Sequence, residues 1–179
     1  MLASRAIRMF NRVDAVEHRL CRRLNRGVHS RALRELLCVA SRLGDGIAWY
    51  LLMLMIPVCC GEAGIRPALQ MALVGLVGVG LNKLLKRRLV RERPYNRFDG
   101  ILAGTAPLDR YSFPSGHTLH AVSFTTIVLA HFPELAIVLV PFALLVAASR
   151  VVLGLHYLTD VAAGAVLGAT LATIGLALI

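Results

Sequence analysis

Charged side chains are scarce in this chain. They make up 17% of its 179 residues, whereas hydrophobic residues make up 57% and the mean hydropathy is +0.68. Soluble domains usually carry about 25% charged residues. The composition therefore argues against an ordinary soluble protein and predicts a chain that lies in a membrane.

Three other features are missing, and each absence disfavours a class of protein. The four cysteines lack the paired spacing of a metal site. Cys59 and Cys60 lie in an apolar run, which favours thiols packed in a helix over a disulfide. The arginine-rich N-terminus is not followed by the apolar core and cleavage site of a signal peptide. No internal repeat or low-complexity segment is found.

The chain does contain five apolar blocks. A helix needs about 20 apolar residues to cross a bilayer, and several blocks are close to the lower limit of that length. We therefore predict an all-α, multispan transmembrane bundle with polar residues near the hydrocarbon boundary. The blocks are residues 46–60, 67–81, 118–132, 135–149 and 158–179.

Residues 1–44 differ from the blocks because they contain ten arginines at loosely helical spacing. Residues 28–43 suggest a sixth span, but three arginines and Glu35 interrupt them. Each basic residue near a helix centre costs roughly 2.5–3.5 kcal/mol on insertion. We therefore predict that residues 1–44 form an interfacial helical segment and that residues 45–179 form the transmembrane domain. The domain would have five spans, or six if residues 28–43 also cross the membrane.

Reactive residue types are concentrated before the last block, in the pattern S-R-x5-H-x3-D formed by Ser149, Arg150, His156 and Asp160. A histidine and an aspartate four apart lie on one face of a helix. There the carboxylate can hold the imidazole in one tautomer, while the nearby arginine is suited to binding phosphate oxygens.

The longest polar connection, residues 83–111, carries a second basic pattern. Lys86 and Arg93 are two helical turns apart and are expected on one face, before Pro94 ends or kinks the helix. Taken alone, this stretch is typical of a positively charged cytoplasmic loop. Asp109 in the same stretch is a turn-forming residue by default, with substrate contact as the alternative.

A third pattern, Pro114-Ser115-Gly116-His117, leads directly into an apolar block. Proline and serine favour a helix start, and the free N–H groups of that start form an anion site. If consecutive blocks cross in alternating directions, all three patterns lie at one membrane face. That convergence makes an active site more plausible than any one pattern does.

The motifs K-x6-R-P, P-S-G-H and S-R-x5-H-x3-D, in this order between Lys86 and Asp160, resemble the signature of the type-2 phosphatidic acid phosphatase superfamily. The resemblance implies a membrane lipid phosphatase without metal or other cofactor. His156 would be the nucleophile that forms a phosphohistidine, Asp160 would orient it, and His117 would be the general acid and base. The phosphate would be held by Lys86, Arg93, Ser115, Gly116 and Arg150.

Two other functions stay open at this point. A vanadium haloperoxidase shares the phosphate pocket of this superfamily, but those enzymes are larger and soluble. A non-enzymatic lipid-binding membrane protein would not need the histidine pair. The high positive charge also fits a nucleic-acid binder, but in a multispan protein it more simply sets orientation and contacts anionic lipids.

The expected substrate is a lipid phosphate or diphosphate, such as undecaprenyl diphosphate, phosphatidic acid or phosphatidylglycerophosphate. The expected location is the cell (inner) membrane. Nineteen of the twenty Lys and Arg residues fall on the face of the predicted site, and only Arg66 lies opposite. The positive-inside rule therefore favours a cytoplasmic active site, although many relatives work on the other side. The pattern gives no indication of oligomeric state.

Overall fold

The computed structural model describes residues 2–107 and 109–178, and it describes side chains for residues 13, 14 and 16–178 apart from Leu108. No β-strand occurs in these described ranges. The all-α prediction is confirmed. The helices are α1 (Leu2–Asn25), α2 (Arg31–Arg42), α3 (Ala48–Cys60), α4 (Glu62–Leu89), α5 (Pro94–Arg97), α6 (Gly116–His131), α7 (Ala136–Val152) and α8 (Leu158–Leu178).

The five apolar blocks correspond to α3, α4, α6, α7 and α8. Helix α6 lies at the centre of the bundle, against α4, α7 and α8. A Cβ atom added to Gly164 or Gly168 would lie 2.5 Å or 2.3 Å from a backbone oxygen of the α6 segment. These two glycines therefore let the backbones of α8 and α6 approach closely, in the manner of small residues in membrane helices.

Four segments of the described chain are long and apolar enough to cross a bilayer: Arg31–Cys60, Glu62–Arg97, Pro133–Val152 and Leu158–Leu178. Helix α6 has 16 residues and therefore extends only about 24 Å. Because other helices surround it, a short α6 need not match the full thickness of the hydrocarbon. The chain is a multi-pass membrane protein, and the number of crossings stays a prediction.

Residues 16–44 pack against the end of the bundle at which α4 and α7 end. The side chain of Asn25 donates to the carbonyl oxygens of Leu102 and Val152, both at 2.9 Å. Helix α2 contributes Leu37 to an apolar cluster with Leu153 and Leu155, which follow α7. These contacts join the segment to the bundle. Its interfacial placement and the division of the chain at residues 44 and 45 stay predictions.

A kinked segment, Leu43–Ile47, joins α2 to α3. Within it Gly46 has a φ of +138°, which favours glycine because it lacks Cβ. This wide turn directs the chain from α2 into α3. It also places Asp45 beside the start of α6.

Candidate active site

A polar cavity of about 200 Å³ lies at the end of the bundle where α4 and α7 end and α6 begins. Polar side chains are costly in the middle of an apolar helix and less so at its ends. The structure brings the three sequence patterns together at this end, as the alternating direction of the blocks predicts. Six of the predicted site residues line the cavity: Lys86, Arg93, Gly116, His117, Arg150 and His156.

His156 is 1% exposed and lies in the turn between α7 and α8. The prediction that His156 and Asp160 share a helix face is wrong, because α8 begins only at Leu158. Gly154, at a φ of +73°, permits the tight turn that precedes His156. This turn still places His156 Nδ1 3.4 Å from Asp160 Oδ2.

The two ring nitrogens of His156 have different neighbours. Nε2 lies 3.2 Å from Nη1 of Arg93. Because an arginine N–H can only donate, Nε2 is the acceptor and the ring proton is on Nδ1, facing Asp160. Nε2 therefore holds the lone pair that a nucleophile needs.

The charge state of His156 also suits a nucleophile. Burial lowers its pKa well below the ordinary value, and the positive charges of Arg93, Arg150 and Lys86 lower it further. The imidazole is therefore neutral at neutral pH.

Asp160 is fully buried and lies behind His156, outside the cavity lining. Its Oδ2 accepts the backbone N–H of Tyr157 at 2.9 Å, and its Oδ1 contacts Nη1 of Arg91. The carboxylate is thus fixed from two sides and lies within ion-pair distance of His156 Nδ1, which completes no hydrogen bond with the described residues.

Lys86 lies in the last turn of α4, whereas Arg93 lies beyond the helix. Helix α4 ends at Leu89, and Val90 is left-handed with a φ of 49°, so the prediction that Lys86 and Arg93 share a helix face is wrong. Instead, both side chains form ion pairs with the carboxylate of Asp109. Lys86 Nζ lies 2.6 Å from Oδ2 of that carboxylate, and Arg93 Nη2 lies 2.8 Å from Oδ1.

For Asp109 the sequence predicts a turn-forming role, with substrate contact as the alternative. In the structure its carboxylate lines the cavity and pairs with both cations. Burial alone would raise the pKa of Asp109, but Lys86 and Arg93 outweigh burial and hold the pKa below its ordinary value. Asp109 is therefore ionised at neutral pH and partly neutralises the cavity.

Arg150 occupies the last turn of α7 and is 2% exposed. Its Nη1 donates to Oγ of Ser41 in α2. Its Nε is buried with no hydrogen-bond partner, and no carboxylate lies within ion-pair distance, among the side chains that the structure describes. A buried charged donor without an acceptor is costly, so this guanidinium suits an anion in the cavity.

Helix α6 supplies the second histidine. His117 is the second residue of α6, and its Nε2 contacts Oδ1 of Asp45. Gly116 lines the cavity beside it, and a Cβ there would lie 3.3 Å from Oδ1 of Asn82. The start of α6, whose first N–H groups have no partner within the helix, therefore faces the cavity at Gly116.

Ser115 differs from the other predicted phosphate ligands because it does not line the cavity. Its Oγ lies 3.0 Å from Oγ1 of Thr118, and its backbone N–H donates to the carbonyl oxygen of Asp160 at 3.1 Å. In this arrangement it joins the starts of α6 and α8. Its role as a phosphate ligand stays a prediction.

Sequence reasoning missed Asp45, Asn82 and Arg91. Asp45 had a detectable signal, because it is an acidic residue at the edge of an apolar block, where charge is costly. Asn82 had a weaker signal, as an uncharged polar residue directly after the block that becomes α4. Arg91 had none, since it is one basic residue among many in residues 83–110.

No group of three or more His, Cys, Asp or Glu side chains that could hold a metal ion occurs in the described part of the chain. The prediction that the site uses no metal or cofactor stays a prediction. The groups that the site does offer to a phosphate are cationic side chains and helix N–H groups.

Comparisons with known proteins agree with the family resemblance of the three motifs. The family model described as "PAP2 superfamily" matches residues 67–179, which is more than half of the chain. The lipid A 1-phosphatase of Rhizobium johnstonii is 34% identical over 93 residues, which cover 50% of this chain and 38% of that protein. Phosphatidylglycerophosphatase B of Bacillus subtilis is 36% identical over 102 residues, which cover 49% and 46%. The chain thus spans less than half the length of these curated relatives.

Solved structures match almost the whole fold. The transmembrane PAP2-type phosphatidylglycerolphosphate phosphatase from Bacillus subtilis aligns with a TM-score of 0.66 and 27% identity, covering 98% of this chain and 94% of that one. LpxE of Aquifex aeolicus aligns with a TM-score of 0.72 and 24% identity, covering 90% and 95%. The second likeness concerns the fold alone.

Proposed function

Because the chain belongs to the PAP2 superfamily, we propose that it is an integral membrane phosphatase that hydrolyses a lipid phosphate through a phosphohistidine on His156. One observation carries this proposal. His156, His117 and the three cations Lys86, Arg93 and Arg150 line one cavity of about 200 Å³.

In the first step, the phosphate of the substrate enters the cavity and replaces Asp109 as the partner of Lys86 and Arg93. Arg93 and Arg150 bind its oxygens with planar guanidinium groups, and Lys86 adds a point charge. Nε2 of His156 attacks phosphorus and forms the P–N bond while the P–O bond to the lipid breaks. His117 gives its proton to the departing oxygen, so the lipid leaves as an alcohol.

In the second step, a water molecule attacks the phosphohistidine. His117, now neutral, takes one proton from the water as the P–N bond breaks, and inorganic phosphate leaves. His156 recovers its lone pair on Nε2, and His117 is protonated again for the next cycle. Asp160 stays ionised and balances the positive charge that His156 carries when it is phosphorylated.

A groove supports a lipid as the substrate. It has a volume of about 490 Å³, lies between α3, α4 and α6, and is lined mainly by apolar side chains, including Trp49, Met53, Leu76 and Phe124. Four residues belong to both the groove and the polar cavity: Gly44, Asp45, Val79 and His120. A lipid whose hydrocarbon chain lies in the groove would therefore have its phosphate at the cations. A soluble haloperoxidase does not require such a groove.

The substrate class is a membrane lipid phosphate or diphosphate. Phosphatidylglycerophosphate and a phosphorylated lipid A fit by analogy with the names of the relatives, and phosphatidic acid and undecaprenyl diphosphate offer the same chemistry. We place the protein in the cell (inner) membrane with the cavity on the cytoplasmic side, because ten arginines occur in residues 1–44.

Phosphate release from a panel of these lipids, measured with purified protein in detergent, tests the proposal. We expect release from at least one lipid in the presence of EDTA, inhibition by vanadate, and a loss of at least about 10³-fold in His156→Ala, as for loss of a nucleophile. His131→Ala is the matched control, since His131 lies at the other end of α6.

Two results would contradict the proposal. One is no release from any lipid of the panel by a folded protein. The other is full activity in folded His156→Ala, which would leave the chemistry to another group. A lipid-binding protein without enzymatic activity would give the first result while still binding the same lipids.

A further inference from the structure

A second cluster of buried charges lies beside the cavity and outside its lining. Its centre is Arg91, which is 1% exposed. Nη2 of Arg91 lies 2.8 Å from Oε2 of Glu17, and Nε lies 2.9 Å from Oδ1 of Asp14. Nη1 contacts Oδ1 of Asp160. One guanidinium thus joins two carboxylates of α1 to the carboxylate behind His156.

Glu17 also binds the start of α8 directly. Its Oε1 accepts the backbone N–H of Thr159 at 2.8 Å, and its Oε2 lies 2.7 Å from the Thr159 hydroxyl. An acidic side chain stabilises the free N–H groups and the positive end of the helix dipole. Helix α1 therefore holds the first turn of α8, which carries Asp160, at two points.

Tyr157 completes the enclosure of Arg91. The guanidinium carbon lies 3.9 Å from the centre of the Tyr157 ring, and the ring itself is fully buried. The backbone N–H of Tyr157 donates to Oδ2 of Asp160. The segment that carries His156 is therefore held between Arg91 and Asp160, and neither oxygen of Asp160 is free to rotate away.

We propose that Arg91, fixed by Asp14 and Glu17 of α1, is a positioning residue that keeps Asp160 aligned with Nδ1 of His156. The N-terminal helix is then part of the active-site framework, in addition to its place at the membrane interface. This inference rests on the proposed phosphatase function. Arg91 acts through Asp160 and touches no substrate, because it does not line the cavity.

The test compares Arg91→Gln with Arg31→Gln, an exposed arginine whose ion pair with Glu35 lies on the surface of α2. We expect kcat of Arg91→Gln to fall by roughly 10- to 100-fold, the range for partners that orient a catalytic group. KM and inhibition by inorganic phosphate should stay within about twofold, because the phosphate-binding cations are untouched. Arg31→Gln should change none of these values.

Hydrogen exchange supplies a readout that needs no activity. In folded Arg91→Gln, the amides of Tyr157 and Thr159 should exchange at least about tenfold faster than in the unaltered protein, because their acceptors are no longer held. If the unaltered protein releases no phosphate from any lipid, the proposed function fails. The exchange measurement still tests whether Arg91 holds Asp160 and the start of α8.

Thr159→Val is a milder variant that keeps Arg91, Asp160 and the side-chain shape. It removes the hydroxyl that accepts from Arg91 Nη1 at 2.8 Å, and we expect a roughly threefold to tenfold fall in kcat with unchanged KM, smaller than for a lost charge. Unchanged kcat and unchanged amide exchange in Arg91→Gln would overturn the proposal. If Arg91→Gln does not fold, unchanged kcat in Thr159→Val would overturn the proposal. A parallel loss of kcat and phosphate binding would also overturn it, since that indicates general damage to the site.

Discussion

Two clusters of charged side chains lie side by side in this protein, and they differ in how their charges are balanced. In the first, Arg91 and Arg97 contact three carboxylates, those of Asp14, Glu17 and Asp160. In the second, the cavity, three cations face two carboxylates among the side chains that the structure describes, those of Asp45 and Asp109. Among the described side chains, carboxylates outnumber guanidinium groups in the first cluster, whereas cations outnumber carboxylates in the second.

This difference separates a framework from a binding site. A buried ion pair adds stability only when its hydrogen bonds are completed within the protein, and the guanidinium of Arg91 has partners for its Nε, Nη1 and Nη2 atoms. In the cavity, Nε of Arg150 has none among the described residues. A cluster that is left with excess charge and an unused donor is suited to a ligand of opposite charge.

Among substitutions of the charged side chains of the cavity, the largest change is expected from Arg150→Lys. The substitution keeps the charge but removes the planar fork and the donor to Ser41. We expect kcat/KM for a lipid phosphate to fall by roughly 30- to 150-fold, equivalent to about 2–3 kcal/mol for a charged hydrogen bond. Steady-state phosphate release measures it.

Arg22→Lys is the control, because Arg22 is an exposed residue of α1. Its kcat/KM should not change. If Arg150→Lys retained the activity of Arg22→Lys, the excess charge of the cavity would not be the phosphate clamp, and the contrast between the two clusters would lose its functional meaning.

A smaller change, of opposite sign, is expected from Asp109→Asn. The carboxylate competes with the substrate for Lys86 and Arg93, so its removal should lower KM. Because the Asp109 side chain is 45% exposed, solvent screens the effect, and about 0.5–1 kcal/mol, or a twofold to fivefold lower KM, is expected.

The effect of Asp109→Asn should be constant from about pH 5 to pH 8, because the pKa of Asp109 lies below its ordinary value and the carboxylate is therefore ionised throughout. Asp99→Asn, in an exposed part of the same connection, should leave KM unchanged. A higher KM in Asp109→Asn would mean that Asp109 mainly orders the two cations.

The sequence predicts much of this architecture because membrane proteins show their organisation in composition. The five apolar blocks correspond to five helices, since a lipid-facing helix must be apolar along its length. The convergence of Lys86, His117, Arg150 and His156 follows from alternating crossings alone. The PAP2 resemblance was carried by motif spacing, and the family match confirms it.

The local geometry could not be predicted in the same way. Spacings of four and seven suggested shared helix faces, but His156 precedes α8 and Arg93 follows α4. The motif spacing instead reflects turns at Gly154 and Val90, whose backbone conformations the helical pattern does not report. The Arg91 cluster joins residues 74 and 77 positions apart in the chain, and a single sequence carries no signal for such a pairing.

The central claim is that His156 becomes phosphorylated during turnover, and the intermediate can be trapped. In His117→Asn, a substrate with an activated p-nitrophenyl leaving group needs no proton for the first step, whereas the second step loses its base. Quenching at alkaline pH followed by peptide mass spectrometry then locates the phosphate. The account predicts phosphate on the peptide that contains His156, in proportion to the p-nitrophenol released in the first turnover. Release of p-nitrophenol without phosphate on His156, or with phosphate on another residue, would contradict it.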